Sequence, residues 1–477
     1  MHNDMWSGFS GPAKTCKKVS EKVQYRYADP FSVPVFFLKE FLQVRIRSLF
    51  CLLSVFVLLF ACVPVCGEEE EIVEEVMLDE EEEPEEEPDD VPEEEPADVF
   101  TPSHGSPYTQ DIASPYWTMP MDITDEAAVW DMLMQPITVV DLGKLKGKSH
   151  SQLTKVQTYL YSEPDEKSKI LGEVTNLSQG VRVIEHLDNG WSLVECYSSS
   201  FFSKPATKTK AWNLLVSGYL PTKYLKEVKP TTRLALVIDK LTQRLYVFQE
   251  GKMIATLLCS TGLVQWNGSK YQPYNETRSG EFLLINMTGQ LTSDRLVCSY
   301  AIRFNGGDEV HEVPHQTNRD GTFNYKTTEP KLGTKCSHGC IRVQRLKSPE
   351  GVNMAWIYKL VNSENLCGKV KVVVWEDWQG RQIPEPSPDT TLYYNPNGGS
   401  YYHSADHCYN GKGITFSPFS YSQLDEAPYS RLEPCPNCAP ARRLAEIREI
   451  NDLYAPGGDH EELLNTLRQD YWNYLNN

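Results

Sequence analysis

The chain has 477 residues, too many for one hydrophobic core, and its length implies three or four domains. Its net charge of −19 is concentrated in one place: residues 68–98 hold 20 Asp and Glu and no Lys or Arg, which leaves 45 acidic against 46 basic residues elsewhere. That near-neutral remainder excludes nucleic acid as a partner, which would need a basic face, and 13 cysteines in so long a chain are too sparse for a disulfide scaffold.

Residues 1–43 show no periodicity and stay unassigned. In 44–67, Arg45 and Arg47 precede an apolar run over 49–65, broken only by Ser54 and Pro64 and closed by Gly67. Charge, apolar stretch and small residue in that order make an export signal, or a membrane anchor that barely spans a bilayer. Its distance from Met1 leads to the expectation that the true start lies near Val44. Leu59-Phe60-Ala61-Cys62 approximates a lipoprotein cleavage box. Residues 68–100 repel themselves and bury nothing, so they are read as a disordered tether. Within 101–150, Thr124, Asp125 and Glu126 open a capped amphipathic helix that ends before Pro136.

Over 151–229, short alternating segments at 156–161, 170–174, 181–184 and 189–194 alternate with turn signals, and Gly218-Tyr219-Leu220-Pro221 closes the series. Such spacing predicts a small β-barrel, with 197–209 as a loop inserted in it. In 230–376, segments at 234–239, 244–248 and 253–258 follow one another without a helix, predicting a mostly antiparallel β domain and a mainly β protein. Prolines 384, 386 and 388 mark a linker over 377–391. In 392–443, His403, Cys408, Cys435 and Cys438 offer four soft or borderline ligands, the set that tetrahedral zinc takes. A disulfide of Cys435 with Cys438 or Cys408 is the alternative, in keeping with export. Leu444, Ile447, Ile450 and Tyr454 recur at helical spacing in a C-terminal helix over 444–477.

The chemistry centres on Ser337-His338-Gly339-Cys340-Ile341-Arg342-Val343. A thiolate is a strong nucleophile, and cations or imidazoles lower its pKa from about 8.5. This stretch resembles the signature of the L,D-transpeptidase catalytic domain. The stretches Cys259-Ser260-Thr261-Gly262 and Arg278-Ser279-Gly280-Glu281-Phe282 are similar to two more of that family, so the likeness spans 232–376. The 151–229 unit resembles bacterial SH3-like domains, and 392–443 resembles small Cys-rich modules of extracellular bacterial proteins.

The resemblance implies an exported enzyme on the outer side of the cytoplasmic membrane or in the cell wall. Cys340 would attack a donor tetrapeptide stem of peptidoglycan, release its terminal D-alanine, and pass the acyl group to an amine of an acceptor stem, giving a 3→3 cross-link without any cofactor. Hydrolysis instead would make it an L,D-carboxypeptidase, and a non-catalytic wall-binding protein is the third reading. The family's base maps onto His311, with His315 as the alternative and as a substrate contact. Glu312 stands where glycine is usual, and His311 and Cys340 are further apart than is common, with 316–335 absorbing the length. His338 is expected to orient the site by bonding backbone near Cys340. Ser337 and Gly339 complete the turn, Arg342 holds it or meets a substrate carboxylate, and Cys336 is a buried thiol or a disulfide partner of Cys340.

Overall fold

The computed structural model describes residues 122–477 except 202, 265–271, 294, 377–380 and 456, with the side chains of 410, 460, 461 and 464 also left aside. The readings for 1–43, for the export segment and Cys62, and for the acidic stretch 68–100 lie outside the described residues. Among the described residues, no helix is long and apolar enough to cross a membrane.

The first helix, α1 (Glu126–Met134), is capped by Asp125, whose carboxylate accepts from Ala128 N at 3.1 Å. Its C-terminal end is met by the buried Lys371, which donates to the carbonyls of Met132 (3.3 Å) and Gln135 (3.0 Å) and pairs with Glu281 at 2.7 Å. A cation there complements the helix dipole and fills carbonyls that would otherwise lack partners. Next come β1 (Ile137–Val140), the single turn α2 (His150–Leu153), β2 (Gln157–Tyr161), β3 (Ile170–Thr175), β4 (Arg182–His186), β5 (Trp191–Ser199), the short α3 (Ala206–Thr209), β6 (Trp212–Pro221) and β7 (Leu225–Val228). Five of these strands form an antiparallel sheet in the order β3-β2-β6-β5-β4, and β1 pairs with β7. The segment 197–209, expected as a loop, is in part regular: β5 runs on to Ser199, α3 covers Ala206–Thr209, and Ser199 Oγ bonds the Asn305 side chain at 3.1 Å.

The catalytic-type region builds nine strands: β8 (Ala235–Asp239), β9 (Arg244–Gln249), β10 (Lys252–Ser260), β11 (Gly280–Leu283), β12 (Asn286–Ser293), β13 (Leu296–Asn305) and β14 (Asp308–Glu312), then, beyond the small hairpin of β15 (Gln316–Thr317) and β16 (Phe323–Asn324), β17 (Ile341–Val343) and β18 (Lys371–Trp375). Their order is β11-β18-β8-β9-β10-β17-β14-β13-β12. The protein is mainly β, as expected. Two pairs, β18 with β8 and β14 with β17, are parallel rather than antiparallel. A helix unforeseen in this region, α4 (Met354–Ser363), is capped by Asn353, which accepts from Trp356 N at 3.0 Å.

The strand β8 is apolar from Ala235 to Ile238 because both of its faces are covered. Leu236 and Ile238 join Leu245, Phe304, Ile341, Val343 and Ile357 of α4 in one core. Ala235 and Val237 face a second core that also holds Val129 and Leu133 of α1 and Leu160, Val194 and Leu220 of the five-stranded sheet. The expected linker is partly embedded: Arg381 stacks on Trp375 at 3.5 Å and pairs with both oxygens of Asp239 at 3.0 Å. Beyond it, β19 (Thr391–Tyr394), β20 (Tyr401–His403), β21 (Ser417–Ser420) and β22 (Glu433–Pro434) form a sheet in the order β21-β19-β20-β22. The expected single C-terminal helix is two, α5 (Leu444–Leu453) and α6 (Asp459–Asn476), parted at Gly457 with φ of +78°. On α6, Tyr471 and Tyr474 bond the carbonyls of Leu171 and Ile170 on β3, at 3.0 and 2.8 Å.

Candidate active site

Cys340 sits one residue before β17, and strand alternation sets what surrounds it. Ile341 and Val343 are fully buried in the core, so Cys340 and Arg342 lie on the opposite, partly exposed face. The parallel register sets His311 beside Arg342 and Val310 beside Ile341. Val310 goes inward, and His311 therefore shares the face of Arg342 and Cys340.

The turn carrying the thiol is held by hydroxyls. Ser337 Oγ donates to the Cys340 carbonyl at 2.6 Å and accepts from Gly339 N at 3.2 Å. Thr277 Oγ1 donates to the Gly339 carbonyl at 2.8 Å and accepts from Gly262 N at 2.8 Å. The amides of Cys336 and Ser337 both reach the Thr261 carbonyl, at 2.9 and 3.0 Å. These bonds explain why Thr261, Gly262 and the stretch around Arg278 belong to one motif set. Arg278 is buried and donates to the carbonyls of Tyr274 (3.1 Å), Glu276 and Ser200, fixing the strand entry that bears Thr277. His338, expected to orient the turn, is exposed, and Ser337 and Thr277 make the orienting bonds.

Gly339 has a stated reason to be glycine. Its φ is +124°, and a Cβ there would lie 2.3 Å from Asp308 Oδ1. Asp308 belongs to the site without a sequence signal of its own, since β14 (Asp-Glu-Val-His-Glu) is polar at every position but Val310. Burial raises its pKa to about 7, partly offset by Arg278. Burial, and then the Asp308 carboxylate, push the Cys340 thiol well above its ordinary pKa, while the Glu309 amide acts the other way.

His311 is 2 % exposed, and its Nδ1 lies 2.6 Å from the Glu312 carbonyl. A carbonyl only accepts, so Nδ1 carries the proton and Nε2 keeps a lone pair. Burial lowers the His311 pKa to about 4, the Glu312 bond opposes that, and Arg342 adds to it. Arg342 donates to Cys336 Sγ at 3.3 Å, which engages the guanidinium within the protein. His315, the alternative base, is buried. Its backbone pairs with Val297 in both directions, and its ring lies 4.0 Å from that of Phe323. The segment 316–335 packs back on the end of β14: Tyr325 bonds Glu312 at 3.1 Å, Arg345 stacks on Tyr325 at 4.5 Å, and Thr328 bonds the Pro314 carbonyl at 2.6 Å. Between it and the C-terminal module lies a groove of about 1010 Å³, bordered by Gly333 and Thr334 and lined by Phe323, Lys326, Tyr401 and Arg442.

Residues 233–374 match the family model of the L,D-transpeptidase catalytic domain. The chain carries an L,D-transpeptidase-family catalytic domain. Similar solved structures are an L,D-transpeptidase from Xylanimonas cellulosilytica (18% identity, 31% of this chain and 63% of that one, TM-score 0.21), one from Mycobacterium smegmatis (14% identity, 51% and 92%, TM-score 0.23) and one from Stackebrandtia nassauensis (20% identity, 31% and 58%, TM-score 0.20). The chain thus spans less than two thirds of the first of these. A comparison with curated proteins finds no match. The nucleophile turn and both candidate histidines fall inside the matched transpeptidase domain.

Proposed function

We propose that this chain is an L,D-transpeptidase that forms 3→3 cross-links in peptidoglycan through a cysteine acyl-enzyme. The observation that carries the reading is the pairing of β14 with β17, which gives Cys340 and the unprotonated Nε2 of His311 a common face. In the first half-reaction Cys340 Sγ attacks the carbonyl that joins the third residue of a donor stem to its terminal D-alanine. The thiol proton goes to His311 Nε2 and on to the departing amine as the C–N bond breaks, leaving a thioester. In the second, a side-chain amine of an acceptor stem attacks the thioester and its proton returns by way of His311 to the sulfur. The energy of the broken amide is kept in the thioester, so the two steps need no nucleotide. Ser337, Gly339 and Thr277 position the sulfur. The contact of the Arg342 guanidinium with Cys336 Sγ supports a positioning role for Arg342 at the strand.

We further infer that the protein works on the outer side of the membrane, delivered by the 44–67 segment, with the five-stranded unit as an SH3-like spacer or wall contact. Incubating the purified chain with disaccharide tetrapeptide and weighing the products tests the reaction. Cross-linked dimers with free D-alanine are expected. Tripeptide alone would make the enzyme a carboxypeptidase, and unchanged substrate would leave a wall-binding role. A carbapenem should add its mass to the peptide bearing Cys340, and an adduct on Cys336 would overturn the assignment of the nucleophile.

A further inference from the structure

Four ligand-type side chains meet far along the chain from the nucleophile. His403 ends β20, Cys408 leads into the 3-10 turn Tyr409–Gly411, and Cys435 and Cys438 flank a knuckle made by Pro436 and Asn437. All four are buried, and their donor atoms lie within 4.8 Å of one another. Cys408 Sγ and Cys435 Sγ are 3.7 Å apart, and Cys438 Sγ is 3.5 Å from His403 Nδ1. A disulfide would need about 2.05 Å between sulfurs. A tetrahedral ion with metal–sulfur bonds of about 2.3 Å and a metal–nitrogen bond of about 2.0–2.1 Å has edges of about 3.8 Å between sulfurs and about 3.5 Å from sulfur to nitrogen. These two separations match those edges, and the other donor pairs lie within 4.8 Å.

We propose that His403, Cys408, Cys435 and Cys438 hold one zinc ion as a closed, four-coordinate structural centre. Binding converts three thiols to thiolates and releases three protons, so the site is a monoanion that needs hydrogen-bond donors around it. One is Ser404 N, 3.5 Å from Cys438 Sγ, while Ser404 Oγ donates to the Cys438 carbonyl at 2.7 Å. Phe416 covers the His403 ring with centroids 4.4 Å apart. Room for Phe416 depends on Gly411, where a Cβ would approach its ring to 2.1 Å.

The centre does more than close its own module. The Asn437 carbonyl on the knuckle accepts from Gln344 Nε2 at 3.0 Å, and Gln344 Oε1 accepts from Leu258 N at 2.7 Å. Gln344 directly follows β17, four residues after the nucleophile. Arg442, just past the knuckle, donates to the Gly333 carbonyl at 2.8 Å ahead of the nucleophile turn. Zinc therefore clamps both approaches to the catalytic turn from outside the catalytic domain.

The full chain, purified without chelators, should contain one zinc by elemental mass spectrometry. Cys408, Cys435 and Cys438 should resist alkylation until a strong chelator is added, with no reductant required. The chain with Cys435→Ser and Cys438→Ser together should retain less than a tenth of that zinc. Should this variant fold poorly, cobalt exchanged into the unaltered chain should give the thiolate-to-cobalt charge-transfer absorption of a tetrahedral site. Zinc-free protein whose three thiols are released only by reductant would overturn the proposal in favour of disulfides. Zinc retained in full by the folded double variant would overturn it as well. Neither readout uses peptidoglycan, so the result is independent of the reaction proposed above.

Discussion

Burial raises the pKa of Cys340 and lowers that of His311 to about 4, so near neutral pH the pair stands as a thiol and a neutral imidazole. In the proposed reaction, proton transfer would then accompany attack instead of preceding it, and His311 would fail as base only when it is itself protonated. Carbapenem acylation should hold level from pH 7 down to about 5 and fall with a midpoint near 4; a midpoint near 6.5 would mean that His311 is exposed to water in solution. Replacing His311 by Ala should slow acylation by about 10²- to 10⁴-fold. His315→Ala should leave acylation within a few fold while costing stability, because His315 fills space beneath Phe323. The reverse ranking in a pre-steady-state acylation assay would move the base to His315. The same burial bears on folding. His311 in the folded chain takes up a proton only near pH 4, while the unfolded chain does so near 6.5, so stability drops as pH falls between those values. From pH 6.5 to 5 the loss is on the order of 2 kcal/mol, and His311→Gln should lack it in urea titrations at the two pH values. Asp308 contributes with the opposite sign over the same range, since its pKa rises from 3.8 to about 7 on folding and that gain is lost as pH rises between those values, so the His311 share is read as the difference between the parent chain and His311→Gln.

Among the elements, the nucleophile turn has the least slack. Gly339→Ala would set a methyl group against the Asp308 carboxylate at a φ that L residues rarely adopt. Thiol labelling should report a displaced Cys340, and acylation should fall by at least about 10²-fold while the circular dichroism of the sheet persists. Near-wild-type acylation by this variant would show that the turn tolerates movement. This element also marks how far a sequence can be read. The strands near 234–258 were legible because apolar residues run or alternate at a strand period with turn residues between them. The partner of each strand was not, since pairing depends on residues far apart, and the parallel match of β14 with β17 has no local signature. The helix α4 does carry a helical signal, an apolar stripe after the Asn353 cap, but at ten residues it is short and stands out little beside the strands around it. The importance of the 337–340 turn was plain from its residue types. Which side chain holds it was not, because the choice between Ser337 and His338 is made by rotamers.

At the scale of the molecule, the catalytic sheet is not self-sufficient. Its second face, Ala235, Val237, Phe248, Val373 and Trp375, is covered by α1 and by the five-stranded sheet, and Lys371 links that sheet to the end of α1. A fragment limited to 232–376 exposes this apolar face, so it should aggregate or unfold at much lower urea than the chain from residue 122 onward. The longer chain should unfold in a single transition with a correspondingly larger m value. Two separate transitions would show that the layers fold independently. Composition shifts suggest a domain scheme, but this shared core has no sequence signal, because nothing in a segment's own pattern says which neighbour will cover its outer face.

The parallel pairing of β14 with β17 has a consequence for how such an enzyme can diversify. Parallel neighbours cannot be joined by a tight hairpin, so a crossover segment must run between His311 and Cys340. Here that crossover includes 316–335, which borders the groove beside the nucleophile turn. Lengthening it costs little in chain entropy, about 0.6 kcal/mol for each doubling, and leaves the strand register untouched. Under the reaction proposed above, donor and acceptor preference would drift through loop exchange alone, and swapping this segment between relatives should change that preference without changing the acylation step.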